Sequence, residues 1–262
     1  MKKEIYIISY CLYGNKQRYF DALYDNAVFI REKYSNLFSV LVVIGTGVPD
    51  SWIKSLKSQE VIIIQGDLEV FKNIPNPLLR LYPILSLIGA GCFMRDSDSH
   101  LSVDEMNSMS KFIDSNYDYH IIRDHPKHLK PIMAGLFAVK RNGYRVIKNI
   151  LTRNSSRIAE FDRNQYNSDE IILADYVYPV IYKKTLIESN FTFYWNERSL
   201  ISDRVSKTKI HFMGQIDSKH NLNYNKELET YKAGVRKMYL PFWMFKLSRY
   251  RYLYRLYWIV KN

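Results

Sequence analysis

The sequence predicts an α/β fold with a mostly parallel central sheet and helices on both of its faces. Three observations carry that prediction. Strand-like and helix-like runs alternate through the first half of the chain. The strand-like runs are almost continuously apolar, as strands covered on both faces must be. The 262 residues, 47% hydrophobic and 15% aromatic, are enough to bury a large core.

Taken in order, the expected strands are EIYIISY (4–10), SVLVVI (39–44), EVIIIQ (60–65), GCFMR (91–95), YDYHIIR (117–123) and GLFAVK (135–140). The helices expected between them run from Gln17 to Lys33, Ser51 to Lys57 and Asp104 to Asn116. The last has the clearest start signal, because SVDE places Ser102 three residues before Glu105, the spacing of a capping box. Beyond about residue 141 the pattern loosens into helices and loops. There NSDEIILADYVYP reads as a helix capped by Ser168 and ended before Pro179. Residues 1–230 read as one domain and 231–262 as an attached segment.

Composition narrows the classes of function. Two cysteines, Cys11 and Cys92, lie in apolar surroundings; they are too few for a disulfide framework and read as packing residues of a reducing compartment. No secretory leader is legible, and the longest uncharged run, residues 81–94, is shorter than the ~20 residues of a spanning helix, so a cytoplasmic protein is expected. The net charge of +12 is concentrated at the C-terminus. Residues 232–262 carry eight basic side chains and no acid, which leaves the other residues at +4. Those bases are interleaved with aromatics, and on a helix Trp243, Leu247, Tyr250, Tyr254 and Tyr257 share a stripe. An anionic membrane surface is the favoured partner, with Trp and Tyr at the headgroups and Lys and Arg drawn to lipid charge. Binding of a nucleic-acid strand and packing on the body are the alternatives.

The chemistry-bearing stretch is RDSDS (95–99). It falls between a strand end and the helix that Ser102 caps, and in open α/β sheets ligands sit at this carboxyl edge. Residues two apart in an extended segment point the same way, so Asp96 and Asp98 can converge on one hard cation, Mg²⁺ or Mn²⁺. The competing reading is a pair of solvated loop acids. RDHPKH offers Arg123, Asp124, His125 and His128, with His120 nearby. Its spacing matches no closed zinc site, and it reads either as a loop positioning an acceptor or phosphate or as an ordinary polar loop.

RDSDS with SHLSVDEMNSM behind it, and HIIRDHPKHLKPIMAGLFAVKR (120–141), resemble a group of bacterial glycosyltransferases that build capsular polysaccharides and O-antigens. SYCLYGNKQRYFDALYDNA (9–27) resembles the first strand, loop and helix of that group. More distantly, NSDEIIL (167–173) and KIHFMG (209–214) are similar to late motifs of retaining glycosyltransferases of family 8. The resemblance implies a GT-A fold, a nucleotide diphosphate sugar donor (a UDP-sugar first of all) and a divalent metal between its phosphates. It implies Asp96, Asp98 and His211 as metal ligands, and Ser9, Tyr10, Gly14, Arg95 and Gly135 around the donor. Asp169 would touch sugar hydroxyls, and Asp169 or Asp124 would be the carboxylate available as a base. A glycan acceptor, lipid-linked or free, is the implied partner. The chain departs from family 8 in having SDE where Asp-Gln is usual and in lacking Lys-Pro-Trp after HFMG, so retention, which the resemblance favours, stays open against inversion. A non-catalytic nucleic-acid-binding protein using the basic tail is the rival reading; it gives no reason for two acids at a strand end.

Overall fold

The computed structural model describes residues 4–65, 74–125, 128–194, 197, 199–200, 213 and 238–240. The first four strands are β1 (Tyr6–Leu12), β2 (Phe38–Ile44), β3 (Ile62–Gln65) and β4 (Gly91–Arg95). They are followed by β5 (Tyr119–Arg123), β6 (Leu136–Lys140), β7 (Thr185–Ser189) and the two-residue β9 (Ser199–Leu200). These eight form one sheet in the order β3-β2-β1-β4-β6-β5-β7-β9. Only β6 runs against its neighbours; every other pairing in the sheet is parallel. The expected α/β architecture is therefore present, with one reversed strand in the middle.

Both faces of the sheet are covered, as the apolar runs require. Tyr6, Ile8, Tyr10 and Leu12 alternate onto one face, where they meet α1 (Gln17–Lys33), α2 (Asp50–Ser58) and α4 (Val103–Asp114). On the other face Cys92, Met94, Phe137 and Val139 pack against α3 (Tyr82–Leu85), α5 (Arg141–Arg153) and the helical run after residue 167. Edge strand β3 departs from the pattern, since its ends are exposed and Ile62 is 41% open. Cys11 and Cys92 are free and buried, in keeping with a packing role.

Ser102 caps α4 as its spacing predicts, its Oγ accepting from the Glu105 N–H at 3.2 Å. The helix expected from Ser168 differs. α7 (Ser168–Ile172) has Asn167 at its N-cap in the left-handed region, φ 60°, and Ser168 is its first helical residue. Nor does Pro179 stop it: a π-turn over Leu173–Val177 leads into α8 (Tyr178–Ile181), with the proline in that helix's first turn. Widening the turn ahead of Pro179 accommodates a residue that has no N–H to donate. A second small sheet pairs β8 (Thr192–Tyr194) in parallel with β10 (Met238–Leu240). Three residues of the attached segment expected from residue 231 onward thus pair with β8. The remainder of that segment, including the Trp243 to Tyr257 stripe, lies outside the described residues. Among the described residues no helix is long and apolar enough to cross a membrane.

Ser102→Ala should remove the α4 cap at a cost of about 1 kcal/mol. The measurement is urea unfolding, with a lower midpoint and an unchanged slope expected.

Candidate functional site

In the order β2-β1-β4, successive connections leave β1 in opposite directions, which opens a crevice beyond the carboxyl ends of β1 and β4. Three segments line it. Gly14, after β1, takes φ +72° and donates its N–H to Thr46 O at 2.8 Å, which draws the β1 and β2 loops together. A 3-10 turn, Asn76–Leu81, packs over the ends of β1, β2 and β4 and touches α7. RDSDS leaves β4.

Within RDSDS the side chains divide by role. Arg95 is 1% exposed; it donates to Gly135 O at 3.1 Å and Ser99 Oγ at 3.0 Å, and pairs with the buried Glu105 at 2.6 Å. It is a frame for the turn and not a contact for a donor, which corrects the expectation for this residue. Ser97 and Ser99 are buried, whereas Asp96 and Asp98 are less so, the alternation expected of them. Burial lifts the Glu105 carboxyl to about 7 although Arg95 opposes it.

Asp96 and Asp98 face different partners. Arg80 Nη1 lies 2.5 Å from Asp96, its Nη2 lies 3.3 Å from Asp169, and its Nε donates to Pro77 O at 3.0 Å. Enclosure would raise the Asp96 carboxyl, but Arg80, with Arg95 and His128 behind it, holds it below the usual range. Asp98 sits 3.6 Å from Arg18 and is pushed up, first by burial and then by the charge of Asp96. Asp169 is likewise raised, burial outweighing Arg80. Asp96, Asp98 and Asp169 stand here against the guanidinium groups of Arg80 and Arg18, three acids to two bases.

Gly135 is required here. A Cβ on it would lie 2.1 Å from Asp96 Oδ2, so the glycine makes room for the carboxylate itself; the obstruction expected against a donor sugar falls on Asp96. Ser9 and Tyr10, the last two residues of the expected first strand, were expected around the donor. β1 continues to Leu12, and both side chains are fully buried within it, behind the crevice wall. His211 lies outside the described residues.

The RDHPKH residues are mostly committed to holding the fold. Arg123 is buried with Glu197, donating at 3.0 and 2.5 Å, and lies under the Tyr194 ring. That removes it as a fork for a phosphate. Asp124 is buried and accepts from Asn190 Nδ2 and, at 3.2 Å, from the Met213 N–H. His120 stacks on Phe112 at 5.0 Å and shares Glu188 with Ser108 in the core. His128 accepts the His125 N–H on Nδ1, and burial takes its pKa down to about 3. Among the described residues no group of three His, Cys, Asp or Glu side chains is placed to hold a metal by itself.

Arg80 is the site residue that sequence reasoning missed, and a signal was present. It is the single charged residue between positions 73 and 94, and a lone arginine in an apolar run must find carboxylates if it is to be buried.

Neither a protein-family model nor a curated protein matches the chain. Among solved structures, the chain aligns with an active-site mutant of LgtC at 12% identity, covering 87% of this chain and 96% of that one, with a TM-score of 0.49. The mannosyltransferase PcManGT from Pyrobaculum calidifontis, solved with GDP-Man and Mn²⁺, aligns at 12% over 72% of this chain, with a TM-score of 0.45. S. aureus TarS with UDP-GlcNAc aligns at 13% over 65%, with a TM-score of 0.42. The chain spans just over half the length of those two, 56% and 52%. At such identities no residue of the site takes its role from these likenesses.

The Glu105 value permits a test of the frame. Its folded pKa, about 7, exceeds the ordinary 4.5, so its contribution to stability is present at low pH and is lost as pH rises between those values. Glu105→Gln, which does not titrate, should flatten the decline across that interval in unfolding midpoints measured at stepped pH.

Proposed function

We propose that the chain is a GT-A glycosyltransferase that moves a sugar from a nucleotide diphosphate sugar, a UDP-sugar first of all, to a surface-glycan acceptor. The observation that carries this reading is Arg80 held between Asp96 and Asp169 at the switch-point crevice, beside a further acid, Asp98, whose carboxyl is raised by burial and then by the charge of Asp96. Mn²⁺ or Mg²⁺ fits this place: hard oxygen donors, two acids close enough to perturb each other, and a net negative charge. When bound, such an ion neutralises the departing diphosphate. His211 is the proposed third ligand.

The remaining roles belong to the chain. Arg80 keeps Asp96 ionised and fixes its direction, and Gly135 leaves space for it. Asp169, tethered by the same guanidinium, meets the sugar hydroxyls and is the carboxylate nearest the chemistry if a base is needed. Gly14 and Arg18 border the diphosphate in place of Ser9 and Tyr10. Asp124, in this reading, holds the backbone of Met213, whose N–H donates to it. Retention is the favoured outcome, with the leaving phosphate accepting the acceptor proton. The basic aromatic segment 232–262 lies on the inner face of the membrane, where a lipid-linked acceptor is reached.

A panel of nucleotide sugars with Mn²⁺ should show metal-dependent release of nucleoside diphosphate. Asp98→Asn and Gly135→Ala should each reduce it about 100-fold, from roughly 3 kcal/mol of lost stabilisation. Full activity in Asp98→Asn, or no donor turned over, overturns the reading.

Deletion of residues 241–262 leaves β10 in place. It should abolish sedimentation with phosphatidylglycerol vesicles while sparing donor turnover; unchanged sedimentation refutes the membrane role.

A further inference from the structure

α5 buries one stripe, Gly143, Tyr144, Ile147 and Leu151, and turns its other side outward. Arg141, Arg145, Lys148 and Arg153 stand there, and Arg157 follows on the short α6 (Ser155–Ile158); all five are exposed. Residues 141–158 contain no acid. Arg141 donates to Leu87 O at 2.7 Å and Gly89 O at 3.0 Å, and Lys148 to Leu85 O at 2.8 Å, so these two charges rest on carbonyl oxygens. Among the described residues no carboxylate pairs with any of the five.

This charge works against the helix that carries it. The first turn of a helix gains from acids, and α5 opens on Arg141 with no acid in that turn. Arg141 and Arg145 are four apart and Arg145 and Lys148 three apart, spacings at which like charges repel. A helix that needs only to be solvated can use both signs, as α1, α2 and α4 do. The one-signed face of α5 instead suits an anionic partner. Its shape selects among anions. A helix of this length lying on a sheet offers a convex ridge about 20 Å long. Tyr144 is fully buried, so α5 offers no ring to the bases of a nucleic-acid strand. Val146, 38% exposed, gives too little apolar area to anchor a protein partner. A layer of lipid phosphates needs neither, since it attracts each nearby base by charge. The ridge starts where the Arg141 N–H meets Ala90 O, just before β4, and α6 leads on to Arg163, whose Nε donates to Asn76 Oδ1 at the crevice.

We propose that the exposed face of α5 is a contact surface for an anionic phospholipid membrane. It adds to the contact proposed for residues 232–262, since stable anchoring takes two signals and each by itself is weak and reversible. It does not depend on the glycosyltransferase reading. The full chain is titrated at about 0.1 M salt with phosphatidylcholine vesicles with and without phosphatidylglycerol. Arg145→Gln, Arg153→Gln and Arg157→Gln should each weaken partitioning onto the phosphatidylglycerol vesicles about fivefold, and together about 100-fold. Lysine at the same three positions should restore it, because a charged plane does not distinguish the two bases. Lys33→Gln, Lys54→Gln and Lys57→Gln together remove the same charge from α1 and α2, on the opposite face of the sheet, and should change partitioning less than about threefold. No partitioning of the native protein, a combined loss below about tenfold, a loss that the α1 and α2 variant matches, or lysines that fail to restore binding overturns the proposal. Vesicle binding that a single-stranded oligonucleotide displaces at equal phosphate concentration assigns the face to nucleic acid and overturns it as well.

Discussion

The arrangement of the crevice depends on one buried guanidinium. Arg80 binds Asp96 and Asp169 at once, joining the 3-10 turn, the end of β4 and the start of α7. Desolvating an arginine is costly, and two carboxylates offset the cost only if both are held close. The requirement works in both directions. The acids fix Arg80 over the sheet ends, and Arg80 holds the Asp96 carboxyl below its usual range and opposes the rise that burial gives Asp169. Asp98 stands beside them, 3.6 Å from Arg18.

Around this centre the chain uses further buried ion pairs as fixtures. Arg95 with Glu105 locks the β4 to α4 crossing, and Arg123 with Glu197 locks the loop beyond β5. All four of these side chains are withdrawn from solvent, so their charges shape the backbone and do not meet ligands. The separation of roles within five residues of RDSDS follows from burial. Arg95 points into the body, where Gly135 O and Ser99 receive it, while Asp96 meets Arg80 and Asp98 meets Arg18. Gly135 belongs to both arrangements, giving its carbonyl to Arg95 and the space of its missing side chain to Asp96.

Local patterns carried the secondary structure because local forces decide it. Gln17–Lys33 and Gly91–Arg95 were legible to the residue, and Ser102 caps α4 as its spacing requires. The reading failed where a neighbour in space had the deciding influence. Ser168 looks like a cap, yet the left-handed Asn167 starts the helix. Pro179 looks like a stop, yet the π-turn before it lets the run continue. Ser9 and Tyr10 were placed at a strand end that lies further on, because parallel pairing with β2 extends β1 to Leu12.

The sequence by itself determined the alternating α/β pattern, the crossing at which Asp96 and Asp98 stand, and the sheathing of the sheet on both faces. Periodicity, capping and apolar runs act over a few residues and can be read along a line. Only the tertiary structure decided which charges meet. Asp96 is sixteen residues from Arg80 along the chain, and Asp169 comes from the far side of the next three strands. Their meeting depends on the strand order and on how deeply each side chain is taken out of water, and both are properties of the assembled sheet.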